Sequence, residues 1–404
     1  MTTLFDTFLG LLYHATLSLL LDSYAFTKLD CFTYNSIMKV LISDCHAGCQ
    51  MWQAEALKIL GHEVVINSFS GHAHLIEDSM KQDITPHIRS GFKVSNIQPI
   101  TDPLDIQNLI SFDTIICSFP PKFIDLYKHV KFRFPKILNV GHRLHIHTKN
   151  DPYFLTSLLE QVRNKEVILC SMSKYDTEYI KHYTGITPIE LYVSCCHIPS
   201  SISYIPIRKE ILISPVHASS VKPFTSIEHM NEMATQMGYS FTFSAVKSIY
   251  PNYKYSDLTN HRATVLFPYS VFSISMIELY ELNIPMFVPS KALLLSTGLM
   301  NDVSLFPCYG TMEEMAKIGA SHDNSPHIHN PNSVDSTDKM YWLDFAYFST
   351  KENIIVWDSP SDLFQKLTTT DFQEVSNKMK KENIIHLEQQ LDNWKNLLTS
   401  LSQS

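Results

Sequence analysis

The 404-residue chain is short of the features that mark several large enzyme classes. It has 11 glycines, against a usual share of about 7%. No GxGxxG, GxxxxGK[ST] or GxSxG occurs in it. That excludes the classical dinucleotide-binding loop, the P-loop and the nucleophile elbow as readings. There is no CxxC among the eight cysteines, so zinc-finger and thioredoxin-like readings fail. There is no excess of positive charge either: 32 Lys plus Arg against 40 Asp plus Glu gives −8. A nucleic-acid backbone is therefore not the expected partner.

What remains is globular. Apolar residues make up 45% and aromatics 11%, and the length suits two domains with real cores. Cys117 and Cys170 end the apolar runs Thr-Ile-Ile-Cys and Val-Ile-Leu-Cys. They read as buried strand thiols, and a reducing compartment, most simply the cytoplasm, fits them. Leu4 to Leu21 is apolar but interrupted by Asp6 and His14 and has no basic flank. It is short for a span and weak as a signal peptide, so residues 1–37 are expected to be an appendage, with a membrane anchor as the alternative.

From Met38 the chain alternates strand and helix. Lys39–Ser43, Glu63–Asn67, Phe112–Cys117, Ile137–Val140, Val167–Ser171 and Ile189–Val193 read as strands. Met51–Leu60 and Lys174–Tyr183 read as helices, with Gly61 and Gly185 as their stops. Residues 38–196 thus form one doubly wound domain and residues 197–209, with two prolines and three serines, a linker. The alternation restarts over 210–370, with strands at Glu210–Ser214, Tyr239–Ala245, Ala263–Phe267, Pro285–Val288 and Ile354–Trp357. Thr225–Glu228 opens a helix ending at Gly238, Ser275–Leu282 forms another, and Tyr341–Phe348 and Ser361–Leu367 two more. Residues 321–339 read as a mobile surface loop, and 371–404 as a helix whose packed face carries Ile384, Leu387, Leu391, Trp394 and Leu398. The fold class is therefore α/β: two tandem Rossmann-like, doubly wound domains facing a central cleft.

The most informative stretch is 263–289. A strand ends at Pro268, a loop carries Ser270 and Ser273, and a helix begins near Ser275 with Glu278 in its first turn. A helix start offers free N–H groups to phosphate, and a carboxylate one turn in can accept two sugar hydroxyls. Ser275 and Glu278 also have the spacing of a simple capping box.

This segment resembles the donor-binding part of GT-B fold glycosyltransferases. The matching residues are Ser273, Ser275, Glu278, Asn283, Ile284 and Pro285. Lys39–Asp44 followed by a helix ending Leu60-Gly61-His62-Glu63-Val64 is similar to that family's first strand–helix–strand, and Val167–Leu191 to the end of its first domain. The resemblance spans about residues 38–370. It implies transfer of a sugar from a nucleotide-sugar (UDP- or GDP-linked) to a hydroxyl of a glycan, protein or small molecule, with no cofactor and no metal. It also implies donor binding by Ser273, Ser275 and Glu278, with Lys222 and His217 as candidates for the pyrophosphate.

Two departures stand out. Many retaining members carry a glutamate eight residues before the second, where this chain has Ser270. The loop Asp44-Cys45-His46-Ala47-Gly48-Cys49 has one glycine. A catalytically inactive relative that binds nucleotide-sugar or glycan, and a nucleotide-sugar epimerase on the same scaffold, are therefore the alternatives. No Asp-x-Asp occurs, against the metal-dependent GT-A type.

For chemistry at the first domain's edge, His46 is the candidate general base and Asp44 its orienter, because an unperturbed imidazole titrates near neutrality. His142 and Arg143, in Gly141-His142-Arg143, are acceptor-side candidates. The His72/His74, His145/His147 and His327/His329 pairs could each grip a metal on a strand, but spacing supplies no third ligand.

Overall fold

The computed structural model describes residues 37–85, 97–146, 148, 151, 153–214, 221–299 and 321–403. The expected appendage except its last residue, Ile37, and also His147, His217, Cys31 and Cys308 lie outside them.

The first domain is built from β1 (Lys39–Asp44), α1 (Ala47–Ile59), β2 (Glu63–Ser68), β3 (Thr114–Cys117), β4 (Lys136–Val140), α2 (Phe154–Arg163), β5 (Val167–Ser171), α3 (Lys174–Thr184) and β6 (Ile189–Glu190). Its sheet runs β2-β1-β3-β4-β5-β6, all parallel. The second domain contains β7 (Ile211–Ser214), α4 (Ile227–Gln236), β8 (Phe243–Ala245), β9 (Thr264–Leu266), α5 (Ile274–Glu281), β10 (Met286–Pro289), α6 (Ser336–Trp342), β11 (Ile355–Trp357) and α7 (Pro360–Thr369). Its sheet runs β11-β10-β9-β7-β8, also parallel. Counted from its own first strand, this sheet repeats the first sheet's order 2-1-3-4-5. Helices cover the faces of such sheets, so central strands are buried on both sides and their sequences run apolar, as in Val40-Leu41-Ile42 and Ile115-Ile116-Cys117. The strand order reverses between β1 and β3 and again between β7 and β9, and ligands of doubly wound sheets bind beyond the strand ends at such points.

The last helix, α8 (Phe372–Gln403), joins the two domains. Its first half packs on the second domain, where Asn383 donates to the Tyr280 carbonyl and to Asn283. Its second half lies on the first domain, with Trp394 against Trp52 at 6.2 Å between rings and Asn393 donating to the Glu190 carbonyl. The expected apolar face is corrected here. Trp394 and Leu398 are buried, but Ile384 is exposed, and the buried seam runs through Met379, Asn383, Gln390, Trp394, Leu397 and Leu401. Asn383, Gln390 and Asn393 serve backbone groups, which hydrophobic periodicity does not register. The same contacts end β6 early. Tyr192 N–H goes to the Gln390 side chain and His386 bonds the Val193 carbonyl, so the strand stops at Glu190 and not Val193.

Three further expectations change. Ser226, not Thr225, caps α4 by accepting His229 N–H. The helix expected over Tyr341–Phe348 is instead α6 plus two short turns, broken at Ala346, whose backbone is extended. The segment after 321 is not a loose surface loop. His327 and Asn332 are buried against α3, where His327 meets Glu178 at 2.9 Å and Asn332 donates to Tyr179 and Tyr183. These bonds tie the second domain's chain to a helix of the first.

Candidate functional site between the two sheets

At the first reversal point β1 delivers Asp44 into a fully buried position. One carboxylate oxygen accepts His46 N–H at 2.7 Å and the other Phe119 N–H at 2.9 Å. The carboxylate thus ties the loop after β1 to the loop after β3. Burial pushes its pKa up to about 7, against the pull of those two N–H bonds. The orienting role expected for it is corrected: Asp44 meets the backbone of His46, not its imidazole.

His46 is the N-cap of α1, and its Nδ1 accepts Cys49 N–H at 3.3 Å. A ring nitrogen that accepts an N–H carries no proton, so the neutral ring presents Nε2–H as a donor. Burial lowers its pKa, and the nearby Glu278 charge opposes that only in part. The general-base role is therefore corrected: as held here, His46 donates.

Gly141 ends β4 where a Cβ would sit 2.8 Å from the Met172 sulfur. His142 (φ 62°) and Arg143 (φ 71°) follow in the left-handed region, which costs a non-glycine residue free energy and needs compensation. Asp176, in the first turn of α3, supplies it: its carboxylate accepts Arg143 N–H at 2.8 Å and the His142 N–H, and takes the Ser173 hydroxyl. Burial raises the Asp176 pKa to about 6 and drives that of His142 down to about 3. His142 is neutral at pH 7, with its ring between Phe119 and Phe272. Arg143 is mostly buried, with its guanidinium over Tyr175.

At the second reversal point the loop after β9 leads into α5. Ser273 is the N-cap, accepting Met276 N–H, and its hydroxyl pairs with Ser275 at 2.9 Å. The helix therefore starts earlier than the spacing implied, and Glu278 falls in its second turn. No Ser275–Glu278 capping box forms. Instead Glu278 Oε1 accepts the Tyr255 hydroxyl at 2.8 Å and lies 3.5 Å from His197 Nε2. Tyr253 is also near, its pKa pushed up to about 12 by burial and then by the Glu278 charge. Ser273 is buried and occupied; Ser275 and Glu278 keep part of their surface open.

The two edges meet directly. Phe272 packs edge-on to His142 at 5.1 Å, and Ile274, the first residue of α5, lies 3.0 Å from where a Gly48 Cβ would stand. A side chain at Gly48 would crowd it and the His46 ring, 3.2 Å away, so glycine here eases the approach of two helix starts. The tip of α5 is thus packed by Phe272 and Ile274 rather than open along its whole end, which corrects the expectation of an uncovered phosphate cradle there.

Lys222 is exposed, two residues beyond the segment 215–220. The structure does not bring it into contact with Glu278. Of the histidine pairs, His72 and His74 are exposed neighbours 5.9 Å apart. His145 turns to Tyr179. His327 sits between Glu178 and Tyr341, and His329 bonds Asp338. Among the described residues no three His, Cys, Asp or Glu side chains converge to hold a metal, and no helix is long and apolar enough to cross a membrane.

Sequence reasoning missed Tyr255, His197 and Asp176. Ser173-x-x-Asp176 is a readable cap signal; nothing local marks the other two.

No family model matches the chain, and no curated protein matches it. Among solved structures it is similar to the glycosyltransferase SnogD from Streptomyces nogalater, with 9% identity, a TM-score of 0.45, and coverage of 90% of this chain and 100% of that one.

Proposed function

We propose that this chain transfers a sugar from a nucleotide-sugar to a hydroxyl acceptor, without cofactor or metal. The observation that carries the reading is Glu278. It is a partly exposed carboxylate at the strand-order reversal of the second sheet, held by Tyr255 and close enough to His46 of the first domain for its charge to be felt there. Ligands of doubly wound sheets bind at such reversals. A fixed carboxylate there accepts hydrogen bonds from vicinal hydroxyls of a ribose or sugar ring. Ser275 adds a hydroxyl beside it. On this reading His46 Nε2–H, a donor on the opposite wall, meets an oxygen of the sugar or of the departing diphosphate. Lys222 is the candidate cation for that diphosphate, with His217 beside it in sequence. The new bond joins the acceptor oxygen to the sugar as the sugar–phosphate bond breaks; the nucleoside diphosphate leaves with that electron pair, and the acceptor's hydroxyl proton passes to a diphosphate oxygen. A donor bound between the two edges would displace water there, which limits hydrolysis.

A second reading, binding without turnover, draws on one observation: His46 and Asp44 are both committed to holding backbone amides. The test is a panel of UDP- and GDP-sugars and free nucleotides, read by calorimetry for binding and by release of nucleoside diphosphate for turnover. Binding with release on adding a hydroxyl acceptor supports transfer. Binding without release under any acceptor supports the second reading. No binding refutes both.

A further inference from the structure

The connector between the domains begins at His197. Immediately before it, the Cys196 thiol donates to the Trp52 carbonyl in α1 of the first domain. Further on, Ile205 N–H bonds the Thr259 carbonyl and Tyr204 donates to the Arg262 carbonyl in the second. His197 therefore stands where the chain leaves one domain for the other. Its side chain is 9% exposed.

Its imidazole is not needed to fill space. Tyr255 has one hydroxyl proton, and the 2.8 Å bond gives it to Glu278 Oε1. His197 Nε2 lies 3.3 Å from the Tyr255 oxygen and 3.5 Å from that same carboxylate oxygen. Both face it as acceptors, so Nε2 carries the proton. Nδ1 then holds a lone pair, and it is buried with no hydrogen-bond partner among the described residues. A buried unsatisfied acceptor is a cost to the fold. A phenyl ring would occupy the place without that cost but would offer Glu278 no donor.

We infer that His197 is a positioning residue for Glu278: from the connector, its Nε2–H and the Tyr255 hydroxyl together fix the carboxylate that receives sugar or ribose hydroxyls. This rests on the transfer reading.

The test uses the full chain and four variants: His197→Phe, His197→Gln, Tyr255→Phe and the double His197→Phe/Tyr255→Phe. The probes are UDP, GDP, UDP-glucose and GDP-mannose, with affinities from calorimetry. For whichever probe the wild type binds, His197→Phe should lose about tenfold in affinity, the scale of one hydrogen bond to a charged group. His197→Gln, which keeps a donor near the Nε2 position, should recover most of that loss. The double variant should lose no more than the worse single, because both donors act on one oxygen. Wild-type affinity in His197→Phe, or losses that add in the double, overturns the inference. If the wild type binds none of the probes, the transfer reading falls, and the positioning claim is decided by 15N NMR of the imidazole. The Nε2–H tautomer in the wild type, lost to a mixture in Glu278→Leu/Tyr255→Phe, supports it; an Nδ1–H tautomer in the wild type overturns it. The same NMR reading decides the matter if His197→Phe does not fold.

Discussion

At the first domain's reversal point Asp44 is wholly buried and spends its oxygens on backbone N–H groups of neighbouring loops, and Asp176, buried at the start of α3, does the same for the loop after β4 while also taking the Ser173 hydroxyl. At the second domain's, Glu278 takes side-chain donors from Tyr255 and His197 and keeps part of its surface open. The strand order is the same in both sheets. One topology thus supports two arrangements: one edge uses charge to hold its own backbone in place, the other holds a carboxylate through side chains and leaves part of it open. Where a carboxylate is consumed by amides, losing it should unfold a loop. Where it is held by hydroxyl and imidazole, losing it should spare the fold and remove affinity.

The largest expected effect is therefore on stability and at the first edge. Asp176→Ala removes the carboxylate that accepts the His142 and Arg143 amides in a left-handed pair. It should cost about 3 kcal/mol in chemical denaturation, the scale of breaking a buried charged network. A cost under about 1 kcal/mol would mean that the loop holds itself.

Next comes the pH dependence of Asp44. Its folded pKa, about 7, lies above its unfolded value. The folded state therefore binds the extra proton, and this carboxyl's contribution is full below about pH 4 and is lost as pH rises through about 7. His142 and His145, both depressed to about 3 by burial, act in the opposite sense over an overlapping window, so the effect is read as a difference. Asp44→Asn should be least stable relative to wild type at about pH 4 and below, and should recover ground as pH rises toward 8. A difference that is flat with pH would contradict the assignment.

A smaller effect separates the two roles of His46. His46→Ala removes an N-cap and should cost about 1 kcal/mol of stability. His46→Asn, which restores a cap acceptor, should recover most of that stability while still lacking an Nε2–H donor at the interface. If stability is recovered and ligand affinity is too, the donor role of His46 is wrong.

Much of the scaffold was legible in the sequence because strands buried on both faces are continuous apolar runs and helix ends carry caps. Val167–Ser171 forms the strand expected over those same residues, and Gly185 stops α3 in the left-handed conformation. The bonds made by single side chains were not legible. Ser275 and Glu278 have capping-box spacing, yet the cap is Ser273, and Glu278 turns outward to a tyrosine 23 residues away. A three-residue spacing describes a helix's own turn and is silent on what lies across it. His46 was read from its usual pKa, but burial and the Cys49 amide change both its charge and its hydrogen-bonding sense. His197 sits in a segment whose prolines and serines mark only a connector, and its neighbours are set by how two domains close. The packing of 321–335 escaped for a related reason: its histidines and asparagines look solvent-loving singly but meet tyrosines and a glutamate of α3.

The central claim, that Glu278 is a ligand carboxylate and not a structural one, is tested most directly by calorimetry of wild type and Glu278→Gln against the same nucleotide-sugars, beside their chemical denaturation. The account predicts an affinity at least about tenfold lower in the variant, with stability within about 1 kcal/mol of wild type. Unchanged affinity, or a collapse in stability like that expected of Asp176→Ala, would contradict it.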